Sequence, residues 1–369
     1  RPTRPATTGR EPTDFTPSMA ARSTARPRPA NESGTASSIS IAGATVVTNG
    51  AGATGVLADT GALATINGGS VTTNGAFAFG VEATGAGSEV DLKGATTTTT
   101  NDDGSDAHGL YALSGGKIDG STATSVGVTT SGTGAIGVYA HGTDEADTAS
   151  TISIAGATVV TNGGSAAGVL ADLGGFATVT GGSVTTHGLD SPGVVATGTD
   201  SRADLAGTTS VSTANNGGIG LYATLGGVVT QTGSTTIMTT GTTSTATGLG
   251  AYGVNADGTG SQVNLAAATI TTSGVGATGL FASDIHATGQ GGAITVSGAL
   301  GVTTGSTAGS AANGAWAQGA GSTIALNGEH LHHRRRRLRP PRERRRNHGY
   351  RHAGRHRERR RGRRGRRPG

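Results

Sequence analysis

The chain has 369 residues, of which Leu, Ile, Val and Phe together make 60 and Gly 67, a composition that excludes an ordinary globule packed around large side chains. Its net charge of +5 sums three unlike parts: six Arg against three acids in residues 1–38, three basic residues against seventeen acids in 39–328, and nineteen Arg against three Glu in 329–369. The chain has no Cys, which excludes disulfides, thiolate metal sites and thiol catalysis, and the acidic middle removes the argument for a specific nucleic-acid partner that the basic total suggests.

Residues 1–38 are rich in Arg and Pro, and the stretch after Met19 lacks the apolar centre of a signal peptide. They read as a disordered segment or as the product of an imperfect gene model, and the chain as a fragment. No window approaches eighteen consecutive apolar residues, so no membrane-spanning helix is expected.

From residue 39 the chain repeats itself at two levels. The segment ISIAGATVVTNG, Ile39–Gly50, recurs unchanged as Ile152–Gly163, an offset of 113. At the same offset GVLAD (Gly55–Asp59) recurs as Gly168–Asp172, and ATINGGSVTTNG (Ala64–Gly75) becomes ATVTGGSVTTHG (Ala177–Gly188). Within this lies a shorter unit, Gly, an apolar residue, any residue, then Ala, which starts at Gly55, Gly80, Gly109, Gly137, Gly168, Gly193, Gly220, Gly253, Gly279 and Gly314. Gaps of 25 to 35 residues separate these starts, so four short units make one long one.

Each unit reads as three strands. From Gly55, GVLA is a strand, DTG a turn, ALATI a strand, NGG a turn and SVTT a strand, with NGAFA leading into the next unit. Short Val-, Ile- and Thr-rich runs between Gly-rich turns favour β pairing, and dense Gly and Thr disfavour helix. One unit has too few apolar side chains to bury a core. Stacked units solve this, because each strand then bonds to its counterparts above and below and small side chains form ladders inside. Ten coils at about 4.8 Å per layer make a solenoid on the order of 50 Å long. The seventeen acids of the middle solvate such a stack and raise the cost of end-to-end or side-to-side pairing.

The GAxVxTNG and G-x-[LYV]-A units, with GGSVTT between them, resemble the passenger regions of bacterial autotransporters, in particular the pertactin-like and AIDA-like adhesin group. The resemblance covers residues 39–328. It implies an all-β fold, a right-handed parallel β-helix solenoid of about ten coils with disordered N- and C-terminal segments, exported by type V secretion to the outer membrane and the cell surface or released. It implies a non-enzymatic role in adhesion or surface presentation, with host or neighbouring-cell surface molecules as partners and a translocator barrel as the export partner, although no signal sequence or barrel is read in these residues. Two other readings stand beside it: a β-helix enzyme acting on polysaccharide, and the head of a trimeric autotransporter adhesin.

No motif in the middle segment carries a catalytic or cofactor reading. G-x-G-x-x-G occurs at Gly50/Gly52/Gly55, Gly132/Gly134/Gly137, Gly248/Gly250/Gly253 and Gly274/Gly276/Gly279, but its recurrence before each G-x-x-A strand marks a turn rather than a dinucleotide site. His108, His141, His187 and His286 stand apart in sequence, without metal-ligand spacing. His187, Asp190 and Ser191 lie close together in HGLDSPG, which reads as a surface loop. The loop NDDGSDAHG places Asp102, Asp103 and Asp106 within five positions and makes them the weak Ca²⁺ candidates, without the EF-hand spacing. HGTDEAD, His141–Asp147, is expected at the same point of a later coil. Thr96–Thr100 reads as exterior β-forming sequence, and the unequal gaps argue against a flat Thr array that matches ice.

Residues 329–369 lose every strand and turn signal at once. They read as a disordered polycation or, since Gly and Ala codons shifted by one base become Arg codons, as the product of a frameshift. The division is therefore 1–38, 39–328 and 329–369.

Overall fold

In the computed structural model the described residues are 36–101, 106–143, 149–284, 289–305 and 312–328. They form twenty-three strands and no helix. All strand pairings are parallel, and they build two sheets, one of thirteen strands and one of ten. The chain is a parallel β-solenoid of about ten turns, as its periodicity predicts.

The ten-stranded sheet holds one strand from each G-x-x-A unit, from Val56–Asp59 and Val81–Thr84 through to Thr278–Ser283 and Asn313–Ala317. Its ladder pairs like with like: Val138, Tyr139, Ala140 and His141 lie against Val169, Leu170, Ala171 and Asp172. The apolar residue and the Ala of the motif point inward, as Val56, Ala58, Val81 and Ala83 do, all buried. The motif's Gly has a different reason. A Cβ on Gly137 would lie 2.5 Å from Cγ1 of Val159 and 2.7 Å from the carbonyl oxygen of Gly168 in the next turn, so only Gly lets successive turns close at the β spacing.

The other sheet differs from its sequence reading. The two strands expected on either side of NGG are one strand, Leu63–Thr73, and the same holds in most turns; only Lys117–Gly120 with Ser125–Thr130 and Ala293–Val296 with Leu300–Gly305 stay divided. Gly68 and Gly69 have φ of +72° and +99°. The strand bends there without leaving its neighbours: Ile41, Ala42 and Ala44 continue in register with Ile66, Asn67 and Gly69. A Gly pair supplies a bend at little steric cost, so Asn-Gly-Gly acts here as a corner inside a strand.

Between the sheets lies one narrow core of Val, Ile, Leu and Ala that runs through all the turns. Threonine belongs to it. Of Thr96–Thr100, expected outside, Thr96, Thr98 and Thr100 are buried and only Thr97 and Thr99 face outward. Strand alternation splits any Thr run between the two faces. The last inward Thr of a long strand closes the next corner: the hydroxyls of Thr130, Thr161 and Thr186 donate to the carbonyl oxygens of Ala135, Ala166 and Ser191 at 2.6, 3.0 and 2.7 Å. The unequal gaps do not disturb these rungs. They fall in connections and in one-residue register shifts at corners of the long strands, as between Asn67 and Gly69, while Thr97 pairs with Gly127 and Gly127 with Thr158 in unbroken register.

The three cations of the acidic middle are each paired on the outside of the long strands. Lys117 Nζ lies 2.6 Å from Glu89 and 3.1 Å from Asp119, Arg202 Nε 2.7 Å from Asp204, and Lys93 Nζ 3.5 Å from Asp91.

Candidate functional site

The third position of each G-x-x-A unit points away from the core between the sheets. It carries Tyr111, Tyr139, Tyr222, Phe281 and Trp316, three of the five Tyr and the single Trp of the chain. Tyr111 and Tyr139 are partly exposed there and Trp316 is 40 % exposed, whereas Tyr222 and Phe281 are buried in a second apolar cluster with Val195, Ile219 and Tyr252. Parallel in-register pairing sets Tyr111 beside Tyr139 and Phe281 beside Trp316 on successive turns of one column, in which Tyr222 lies between Val195 and Asn255; G-x-[LYV]-A names residue types at this position but not which rings meet. The signal was present in the concentration of rings at one repeat position.

One cluster forms where this column meets its neighbours. The Phe79 and His108 rings are stacked, with centroids 5.5 Å apart at 14°, and Tyr111 and Tyr139 are stacked at 5.1 Å and 26°. His108 meets Tyr139 edge-on at 4.9 Å, and His141 meets Tyr139 at 5.3 Å. The two histidines that stand apart in sequence thus flank one tyrosine. Tyr111 and Tyr139 cover each other's flat faces, so a partner meets their edges. A second group stacks Tyr252 on Phe281 and Phe281 on Trp316, both at 4.6 Å.

Asp172, from the next turn, ties the first cluster together. It accepts the Tyr139 hydroxyl at Oδ2 (2.9 Å), and its Oδ1 lies 2.6 Å from His141 Nδ1. Burial, then the charge of Asp172, pushes the Tyr139 hydroxyl well above its ordinary range, so it stays a donor. Burial is also the main cause that raises Tyr111. Glu82, which pairs with Tyr111 in the ladder, has its carboxyl raised chiefly by burial and accepts Thr54 Oγ1 at 2.8 Å. An Asp bound to Nδ1 of a His can orient a catalytic base. Here that carboxylate and the Tyr139 hydroxyl act as a clasp between turns, and the arrangement offers hydroxyl, imidazole and carboxylate groups along an aromatic edge.

His108 gives this cluster a pH dependence. Its Nδ1 accepts the Ile136 N–H at 3.1 Å, which places the proton of the neutral ring on Nε2. Burial, then the nearby His141, lowers its pKa from 6.5 to about 3. The folded state therefore holds the ring neutral while the unfolded chain takes up a proton below pH 6.5. Stability rises with pH between about 3 and 6.5, with a slope of up to about 1.4 kcal/mol per pH unit from this group. In His108→Gln, whose amide oxygen can replace the acceptor, that part of the slope is expected to vanish in urea titrations across the window.

The other sequence candidates fall elsewhere. Asp102, Asp103 and His286 lie outside the described residues. Asp106 is exposed, with φ +52°, and desolvation raises its carboxyl. Among the described residues no three His, Asp or Glu side chains group closely enough to hold a metal ion. NDDGSDAHG connects a long strand to a short one, Glu89–Thr100 to Leu110–Leu113, whereas HGTDEAD leads from Val138–His141 to Thr151–Thr161. The two acidic loops thus occupy different corners, contrary to expectation, and 144–148 of the second lie outside the described residues. HGLDSPG is a corner whose three groups have separate partners. His187 Nδ1 lies 3.0 Å from Asn162 Oδ1, Ser191 Oγ donates to Gly163 O at 2.9 Å, and Asp190 accepts Ser244 Oγ at 2.9 Å and Thr247 Oγ1 at 2.8 Å. Each G-x-G-x-x-G stands before a strand of the ten-stranded sheet, with Gly52, Gly134, Gly248 and Gly276 at positive φ.

No family model, no curated protein and no solved structure matches this chain.

Proposed function

We propose that the chain is a non-enzymatic recognition solenoid of the autotransporter-passenger kind, presented at a bacterial surface or released, which engages host or neighbouring-cell surface molecules through its outward columns. One observation carries this reading: the two long repeats keep the inward positions of the ten-stranded sheet and change half of the opposite ones, while Leu57, Asp59, Thr84 and Tyr111 recur as Leu170, Asp172, Thr197 and Tyr222. Val81, Leu110 and Val138 correspond to Val194, Leu221 and Val254 within the core, and Ala83, Ala112 and Ala140 to Ala196, Ala223 and Ala256. On the other side of the ten-stranded sheet Glu82 corresponds to Val195, Leu113 to Thr224, and Tyr139 with His141 to Asn255 with Asp257; the first-repeat residues are partly exposed, whereas Val195, Thr224, Asn255 and Asp257 are buried. A constant scaffold whose first repeat brings different groups to the surface suits binding. The cell surface and a translocator barrel enter this proposal from the sequence resemblance.

Beads coated with the chain are expected to adhere to epithelial or bacterial cells, and beads coated with the Tyr111→Ser/Tyr139→Ser variant to adhere less, while both proteins keep a β-type far-ultraviolet spectrum. Equal adhesion of the two, or none by the parent, overturns the reading. Release of reducing sugar ends from a polysaccharide panel would establish the enzymatic alternative instead.

A further inference from the structure

The identical segments Ile39–Gly50 and Ile152–Gly163 form strands in different surroundings. Strand Thr151–Thr161 is covered on both edges, by Phe176–Thr186 on one side and by Lys117–Gly120 and Ser125–Thr130 on the other. Among the described residues, strand Ser38–Thr48 ends the sheet and pairs with Leu63–Thr73 alone. The exposures show what is missing: Ile152 is 0 % exposed and Ile39, the same residue of the same sequence, 50 %. In the covered copy the N–H groups of Thr151 and Asn162 donate to Gly116 O and Thr130 O at 3.0 and 2.9 Å. Ser38 and Asn49 hold the corresponding places on the open edge.

The opposite end of the solenoid carries a matching surface. Among the described residues, strand Leu300–Gly305 pairs with Gln262–Ser273 alone. Its residues 300–304 read LGVTT, where Val126–Thr130, the strand under Ala157–Thr161, reads VGVTT. On the ten-stranded sheet Leu57 in the first turn is 47 % exposed and Trp316 in the last 40 %.

We propose that these two ends bind each other between copies of the chain, head to tail. Ala44–Thr48 of one copy lies parallel on Leu300–Thr304 of another, as Ala157–Thr161 lies on Val126–Thr130. Ser38–Ile41 takes the place of the four-residue strand Thr323–Leu326 on Ala293–Val296, with Ile39 where Ile324 sits. Val56–Asp59 extends the ten-stranded sheet beyond Asn313–Ala317, which sets Leu57 on Trp316. The contact continues the turn-to-turn interface that already runs through the molecule, and it buries apolar side chains that both ends leave in water. A head-to-tail contact between different surfaces does not close on itself, so the product is a row of solenoids.

Sedimentation velocity of the whole chain over a dilution series tests this. The expected result is a mass that rises with concentration through dimers to longer rows. Two variants locate the contact. In the covered copy the Asn162 N–H points at the strand below, and two-residue alternation gives the N–H of Val47 the same direction on the open edge. Val47→Pro removes that donor, which no described strand of the same chain uses, and is expected to weaken association at least about tenfold with an unchanged melting curve. Leu57→Lys leaves the backbone alone and puts a charge against Trp316, and the same loss is expected. A parent chain that stays monomeric throughout, or association equally strong in Leu57→Lys and in a folded Val47→Pro, overturns the proposal.

Discussion

Ile152→Ala is expected to cost about 3 to 4 kcal/mol, and Ile39→Ala, the same substitution in the same twelve-residue sequence, about 1 kcal/mol. The difference comes from the turn beneath. Ile152 stands on Ile118 and under Ala177, so its truncation leaves a cavity walled on both sides. Ile39 has Ala64 above it, no described strand below and half its surface exposed, so removal of its side chain mostly exchanges one hydrated surface for a smaller one. Urea unfolding of the two variants, followed by far-ultraviolet circular dichroism, measures the gap. Costs equal within about 0.5 kcal/mol would show that turn-to-turn burial does not hold the stack together. Since each turn touches only its neighbours, the loss at Ile152 also favours opening in the middle of the stack, which hydrogen exchange would place around Thr151–Thr161.

The second large effect is at glycine. Gly137→Ala is expected to cost about 2 to 4 kcal/mol, because the added methyl group meets Val159 and, less yieldingly, the carbonyl oxygen of Gly168. Gly314 holds the same motif position in the last described unit, where a Cβ meets nothing within 4 Å. Gly314→Ala is expected within about 0.5 kcal/mol of the parent, since its cavity-free, strain-free site gains the lower entropy of an Ala chain. Gly174 shows a third situation. It has space but a φ of +80°, so Gly174→Ala costs about 1 kcal/mol by backbone strain alone. Thermal melting of the three variants separates close approach, open end and backbone twist.

Much of the architecture was legible before any coordinates. The offset of 113 and the ten G-x-x-A starts located the turns, and the Val, Ile and Thr runs declared parallel β-structure, because only stacking lets so few apolar residues bury one another. The corners were less legible. Asn67-Gly68-Gly69 carries the signature of a chain reversal, yet hydrogen bonding on either side keeps it a bend within one strand. The Thr97–Gly127–Thr158 column shows why unequal gaps misled: length differences are absorbed in connections and in bulges at the corners, and the ladder regains its register on either side.

The outer face was the least legible part. Tyr111 and Tyr139 occupy a position that G-x-[LYV]-A limits only to a few residue types, His141 follows the motif, and Asp172 lies thirty-one residues beyond His141. Periodicity determines the inside of this protein by itself, because burial in a narrow core admits few residue types and repeats that demand in every turn. Which side chains meet on the outside, and that one copy of ISIAGATVVTNG is sealed while the other lies open, is decided only by the stack, because register and the presence of a neighbouring turn belong to no single segment.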